Sequence, residues 1–268
     1  MAAILLESNL MAESPALALA GRGVLVTGGS SGIGRAIALA AARAGADVAV
    51  TYRSNRAGAD AVAAEIAALG RATAVHALDL ADEAAIRRIG PAVRDALGRL
   101  DVWINNAGAD ILTGPGESLS IVEKLDLLLA VDLRGTILAS WEAARLFGEQ
   151  ADGGVILNMS WDHVVSGMAG TNPQMYAAVK GGIASFSRGL ARSVAPRVRV
   201  NVLAPGWIAT AFGDGLDSET YREVADATPL RRWGTPDDVA GAAVFLASPA
   251  AAFITGQTIM VGGGVVMS

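Results

Sequence analysis

The sequence predicts a single α/β domain: a seven-stranded parallel sheet with helices on both faces. Three observations predict it. Short, β-branched apolar runs alternate with long helical patterns along almost the whole chain. The strand runs are apolar at successive positions, so both faces of each strand are buried, as in parallel sheets. No linker-like, repetitive or low-complexity stretch divides the 268 residues, so one large domain is preferred to two small ones. Strictly alternating strands and helices then require right-handed crossovers.

The elements follow in order. Gly23–Thr27 (GVLVT) is short and bounded by glycine, and reads as the first strand. Ala36–Ala44 is a helix stopped by Gly45, and Asp47–Thr51 the second strand. Arg56–Leu69 is a helix stopped by Gly70. Thr73–Ala77 is the third strand, Ala84–Leu97 a helix, and Asp101–Ile104 the fourth strand. Ile121–Phe147 reads as one long helix, followed by a fifth strand at Gly154–Met159. Gln174–Val194 is a helix and Val198–Leu203 the sixth strand. Thr235 is an N-cap with Pro236 at the first helical position, starting a helix to Leu246. Gln257–Val261 is the seventh strand. Residues 1–20 read as an arm before a domain spanning 21–268. The least regular stretches are 110–119, 161–173 and 207–233. Each follows the C-terminal end of a strand, where open α/β sheets bind ligands.

Composition excludes several functions. Twenty-one Lys and Arg against 26 Asp and Glu give a net charge of −5, with no basic run. That argues against nucleic acid and anionic membranes as partners. There is no cysteine, hence no disulfide, thiol catalysis or Cys-ligated metal. His76 and His163 are the two histidines, too few for a zinc site. No run of about 20 apolar residues is free of charge. The first twenty residues carry Glu7 and Glu13 but no Lys or Arg, so they lack the basic start of a signal peptide. Met11 is an alternative start. A cytoplasmic location is expected.

The first strand runs into Thr27-Gly28-Gly29-Ser30-Ser31-Gly32-Ile33-Gly34 and then a helix. Glycines allow a tight turn and close approach of backbone to a pyrophosphate, and the helix N-terminus offers free N–H groups and a positive dipole end. Alone, such a loop could be an ordinary strand-to-helix turn. Within a strand–helix–strand unit it points to a dinucleotide.

The spacing G-x-x-x-G-x-G resembles the short-chain dehydrogenase/reductase family, classical type. Asn105-Asn106-Ala107-Gly108 is similar to that family's NNAG motif, and Tyr176-x-x-x-Lys180 to its catalytic YxxxK. Pro205-Gly206-x-Ile208-x-Thr210 and Phe253-Ile254-Thr255-Gly256-Gln257 resemble two further elements. In order, these motifs span nearly the whole chain. The resemblance implies a Rossmann fold and a nicotinamide cofactor. It implies that Gly28, Ser30, Ser31, Gly32, Ile33 and Gly34 hold the cofactor. Asn106, Ala107, Gly108, Pro205, Gly206, Ile208 and Thr210 complete its cleft, with Asp79 and Leu80 beside the adenine; Asp79 is equally suited to a turn. It implies a homotetramer or dimer, formed through the long helix and the Tyr-bearing helix.

An acid at the end of the second strand would grip a ribose 2′-hydroxyl and repel a 2′-phosphate. The residues there are Thr51-Tyr52-Arg53-Ser54, with no acid. Arg53 and Ser54 suit a phosphate, so NADP(H) is favoured over NAD(H), unless Arg53 is only a solvated loop charge. Tyr176 and Lys180, four apart, share a helix face. The ammonium is expected to lower the phenol's pKa from about 10. Tyr176 would then donate a proton to a carbonyl as hydride arrives, or accept one in reverse. By resemblance, Lys180 also contacts the nicotinamide ribose.

Three departures from the family stand out. Val131-Asp132-Leu133-Arg134-Gly135 carries an acid where the family has Asn, so the water relay assigned to that Asn is in doubt. Asn158-Met159-Ser160-Trp161-Asp162-His163 has Trp161 where the family's catalytic Ser falls, in a loop two residues longer. Ser160, Asp162 or neither takes that role. The tail reads Val261-Gly262-Gly263-Gly264 where the family often has V-D-G-G. Trp161, Met168, Met175, Trp207 and Phe212 form either an apolar substrate wall or plain packing; Trp103 and Trp141 read as packing, and His163 as structural. The expected activity is NADPH-dependent reduction of a small ketone, 3-oxoacyl or other. Oxidation of a secondary alcohol or sugar is the alternative within the class. A cofactor-binding sensor or scaffold without turnover is the alternative outside it.

Overall fold

The computed structural model describes residues 18–210 and 217–267. Seven strands form one parallel sheet in the order β3-β2-β1-β4-β5-β6-β7. They are β1 (Gly23–Val26), β2 (Asp47–Tyr52), β3 (Thr73–Ala77), β4 (Val102–Asn105), β5 (Gly154–Met159), β6 (Val198–Pro205) and β7 (Thr258–Val261). The central strands β1 and β4 are buried along their length, which is why their sequences are continuously apolar.

Helices α1 (Gly32–Arg43) and α2 (Arg56–Ala68) cover one face together with a helix near the C-terminus. Helices α3 (Glu83–Leu97), α5 (Thr136–Gly148) and α6 (Thr171–Val194) cover the other. The two helices still unnumbered are α4 (Ile121–Leu128) and α7 (Ser218–Ala227); the C-terminal one is α8 (Pro236–Ala247). Strand order reverses between β1 and β4, so the loops after these strands diverge and leave a crevice at the sheet's C-terminal edge. Among the described residues, no helix is long and apolar enough to cross a membrane.

Four details differ from the expected elements. The single long helix is interrupted: α4 and α5 are joined by a π-helical stretch, Leu129–Gly135. Gly135 packs its backbone against Leu80, where a side chain would stand within 2.8 Å of Leu80 atoms. Asp132 is drawn inward to the loop after β4. The wider turn serves both contacts, in keeping with the tendency of such bulges to mark functional sites. Second, α7 lies where an irregular stretch was expected. Asp217 caps it, accepting from the backbone N–H of Glu219 and Thr220, yet none of its residues is buried. Third, Trp141 does pack, edge-on to Phe186 of α6, but at the surface, 55% exposed on α5. Trp103, by contrast, is fully buried. Fourth, the expected arm of residues 1–20 reaches the core at Leu19, which is buried and pairs with the Ala44 carbonyl at 2.8 Å. The rest of that arm, residues 1–17, lies outside the described residues, as does Phe212.

Candidate active site

The glycine loop is held from below. Thr27 Oγ1 accepts from the backbone N–H of Asn106 and of Ala107, each at 3.0 Å. Asn106 Nδ2 donates back to the carbonyls of Thr27 and Gly28 at 3.0 and 3.2 Å. The loops after β1 and β4 are thus laced together across the switch point. Gly34 is required there, because a Cβ would run into the Gly28 carbonyl and the Asn106 amide. Gly28 has φ +65° and lies against Ala107, a conformation and a spacing that favour glycine.

Above this floor the helix end is open. Helices α2, α3, α4, α7 and α8 are each capped by a side chain, but Ser31 at the start of α1 caps nothing. No acid occupies its first turn. A Cβ at Gly32 would meet only Thr210, at 3.8 Å. Free N–H groups facing an open cradle, with Ser30, Ser31 and Ile33 around it, fit a dinucleotide pyrophosphate. Arg53 and Ser54 are exposed past the end of β2, and Arg53 has no ion-pair partner among the described residues. Asp79 is exposed and forms a turn with the Ala81 N–H, while Leu80 is buried. Asp79 thus has the turn role left open for it, and only Leu80 packs inward.

Tyr176 and Lys180 do share a face of α6. The Lys180 ammonium is buried, 5.3 Å from the phenol ring centre. It is also 2.8 Å from Asp132 Oδ2, forming a buried ion pair with the π-helical stretch. The other Asp132 oxygen accepts from the Ala109 N–H at 2.7 Å. Burial opposes the charge on Lys180, but Asp132 and the phenol outweigh it, and its pKa is raised. The expectation for Tyr176 is reversed. Burial pushes the phenol up, Lys180 pulls it down, and Asp132 pushes it up again, so its pKa lies above the ordinary value. The ammonium does pull the phenol down as expected, but burial is the larger effect and the carboxylate adds to it.

The loop after β5 places the remaining candidates. Ser160 Oγ donates to the Lys180 carbonyl at 2.8 Å, tying β5 to α6. Its hydroxyl is committed to main chain. Asp162 is fully buried, with Oδ1 2.6 Å from His163 Nδ1. Its Oδ2 has no hydrogen-bond partner and lies against Gly206 and Gly262. Burial raises the Asp162 carboxyl, and His163 pulls the other way. Trp161 stands edge-on to Tyr176 with ring centres 5.4 Å apart, and stacks on His163 at 4.8 Å. His163 in turn meets Trp207 edge-on at 6.0 Å.

Pro205 and Gly206 end β6, and Ile208 is buried where it bridges to Gly234. Beyond Trp207 opens a cavity of about 620 Å³, lined by Leu230, Met260, Gly262 and Val266 among others. Met175 belongs to a small core with Ile111, Leu128 and Val179, and Met168 is 38% exposed.

Some functional contacts were not foreseen. Asp132 was flagged as a departure, but its partner was not. A buried network also escaped notice: Asn105 accepts from Trp103 Nε1 and donates to Ser140 and Asn158, and Asn158 donates to Ser187. It anchors α5 and α6 to the sheet beneath Tyr176. Of its members, Asn105 and Asn158 stand in motifs visible in the sequence, but their pairing across β4 and β5 does not show there.

A family model described as enoyl-(acyl carrier protein) reductase matches residues 28–266. The chain belongs to the short-chain dehydrogenase/reductase family. As a member it is an NAD(P)-dependent oxidoreductase. It is 39% identical over 257 residues to a 3-oxoacyl-(acyl-carrier-protein) reductase of Synechocystis, covering 93% of this chain and 99% of that relative. A short-chain dehydrogenase of Burkholderia cenocepacia, solved in complex with NADP, is 35% identical with a TM-score of 0.82, over 92% of this chain and 98% of that one. A glucose/ribitol dehydrogenase-type member from Brucella melitensis is 29% identical with a TM-score of 0.83, over 94% and 99%.

Proposed function

We propose that this short-chain dehydrogenase/reductase reduces a carbonyl compound with NADPH, with Tyr176 as general acid. The observation that carries the reading is the state of the phenol. A phenol holds its proton at neutral pH, and burial with Asp132 moves the Tyr176 pKa further up, so the group beside the Lys180 ammonium is a proton donor. Bound nicotinamide supplies the hydride. The chain's own residues do the rest. Gly28, Ser30, Ser31, Gly32, Ile33 and Gly34 receive the pyrophosphate at the uncapped end of α1. Asn106, Ala107 and Gly108 wall the crevice on one side, and Pro205, Gly206, Ile208 and Thr210 on the other. Tyr176 gives its proton to the carbonyl oxygen, and Lys180 keeps a positive charge beside the phenolate left behind. Arg53 and Ser54 favour the 2′-phosphate, because no acid at the end of β2 opposes it. The exposed Trp141 on α5 and the half-buried Phe186 on α6 support assembly through that face into a homo-oligomer.

Titrations with NADPH and NADH, followed by quenching of tryptophan emission, test the cofactor. A Kd about tenfold lower for NADPH, roughly 1.4 kcal/mol, is expected; equal or tighter NADH binding removes the phosphate site. A panel of 3-oxoacyl thioesters and small ketones then tests the reaction. NADPH oxidation that Tyr176→Phe abolishes is expected. Tight binding with no turnover on any member favours a sensor instead.

A further inference from the structure

When hydride bonds to a carbonyl carbon, the C=O π pair moves to oxygen. Tyr176 O–H then delivers its proton there, leaving a phenolate. Before that proton has moved, the oxygen carries developing negative charge and a second fixed donor lowers the barrier. Four groups on α6 beside Tyr176, or on the segment after β5 that packs against α6, are the candidates. Lys180 is paired with Asp132 in a buried ion pair. Ser160 spends its hydroxyl hydrogen on the Lys180 carbonyl. Asp162 is turned toward His163, Gly206 and Gly262. Trp161 remains. Its ring is in edge contact with Tyr176, it is half-buried, and its Nε1–H has no hydrogen-bond partner among the described residues. Nor is that N–H sealed from solvent, since it is not among the buried unpartnered polar atoms. The indole is also prevented from turning. His163 lies on it at an interplanar angle of 20°, and His163 is itself fixed by Asp162 at 2.6 Å.

The geometry points to Trp161 as a catalytic hydrogen-bond donor: its indole N–H contacts the substrate oxygen beside Tyr176. Asp162 and His163 are positioning residues that hold the indole plane. The inference rests on the reading of Tyr176 as general acid. It assigns the substrate a carbonyl whose neighbouring carbons are slim enough to lie under an indole, in place of the small hydroxyl of the family.

Two variants test it, with the best carbonyl compound from the panel and Tyr176→Phe alongside. Trp161→Phe keeps an aromatic ring against Tyr176 and His163 but removes the N–H. Its kcat is expected to fall about 10²-fold, with KM, NADPH affinity and melting temperature little changed. Trp161→His keeps a ring N–H and is expected to recover part of the loss. Full kcat in Trp161→Phe while Tyr176→Phe is inactive overturns the inference and leaves the carbonyl-reductase reading standing. So does a 10²-fold loss confined to Ser160→Ala. Equal activity of wild type and Tyr176→Phe removes the underlying reading, and this inference with it. Loss of kcat in both Trp161 variants together with loss of NADPH binding assigns the residue a structural role and also overturns it.

Discussion

Replacing Asp132 by Asn removes one charge and leaves the shape. The amide carbonyl still accepts from the Ala109 N–H, but Lys180 loses its counter-ion. The effect on Tyr176 follows from two distances. The ammonium lies 5.3 Å from the phenol ring centre and 2.8 Å from the Asp132 oxygen, so that oxygen is no more than about 8 Å from the ring. At an effective dielectric of about 20, a unit charge within about 8 Å is worth roughly 2 kcal/mol or more. Asp132→Asn is therefore expected to lower the Tyr176 pKa, because the charge that raises it is gone. The assay needs no substrate. The chain has three tyrosines, so the tyrosinate absorbance of Asp132→Asn minus that of Asp132→Asn/Tyr176→Phe isolates one phenol. The same difference for wild type gives the reference. Carbonyl reduction should follow, its alkaline fall moving to lower pH in the variant because the phenol loses its proton earlier. An unmoved or raised Tyr176 titration refutes the reasoning, since it would mean that the carboxylate does not act on the phenol. A second cost is expected in stability. An unpaired buried Lys180 typically destabilises by about 3–5 kcal/mol, read as a lower melting temperature.

Three further outcomes are expected. Arg53→Ala should weaken NADPH about tenfold and leave NADH unchanged in the same fluorescence titration, because only the 2′-phosphate loses a partner. Asp162→Asn should raise stability at neutral pH and not at acid pH, measured by thermal melts across pH. The buried carboxyl binds its proton more tightly folded than unfolded, so its contribution is complete below about pH 4 and is lost as pH rises through the higher folded value. Gly262→Asp should destabilise by about 1–3 kcal/mol in denaturant unfolding, because its Cβ would collide with the Asp162 carboxylate. Removing that carboxylate in Gly262→Asp/Asp162→Gly should recover most of the loss.

The centre of the sheet was legible because its strands are buried on both faces and so carry unbroken apolar runs. β1, β2 and β5 are examples, each bounded by glycine or a change of period. Helix α7 was not legible, because it buries nothing and its apolar stripe, Tyr221, Val224 and Ala225, spans little more than one turn. The π-helical stretch was also invisible. It is set by where Gly135 meets Leu80 and where Asp132 meets Ala109, and neither contact is local in sequence. The glycine turn between β1 and α1 could be read in its strand–helix context, since the glycines that a tight turn requires are local features; that Ser31 leaves the helix start uncapped could not. The state of Tyr176 could not. The four-residue spacing places Lys180 on the right face, but the phenol's proton affinity depends on burial and on a carboxylate brought in from another helix. Ser160 illustrates the same limit: the hydroxyl could be named, but not the Lys180 carbonyl that occupies it.

Two departures that look unrelated along the chain are one change in space. The longer loop after β5 introduces Asp162, and the tail carries Gly262 where an acid is common in the family. In the fold, the free oxygen of Asp162 lies against the backbone of Gly206 and Gly262, in the space that a side chain at 262 would need. Two carboxylates could not share that space, so the glycine at 262 is what admits Asp162. Asp162 then fixes His163, and His163 backs the Trp161 ring that meets Tyr176. A change at the C-terminal end of the sheet is thereby carried to the phenol through three consecutive residues of one loop. On the opposite side, Asp132 reaches the same phenol through Lys180. Tyr176 is thus set from both sides by residues in which this chain departs from its family. On the proposed reading, the substrate oxygen that Tyr176 serves meets the Trp161 indole on one side and the ion-paired Lys180 ammonium on the other.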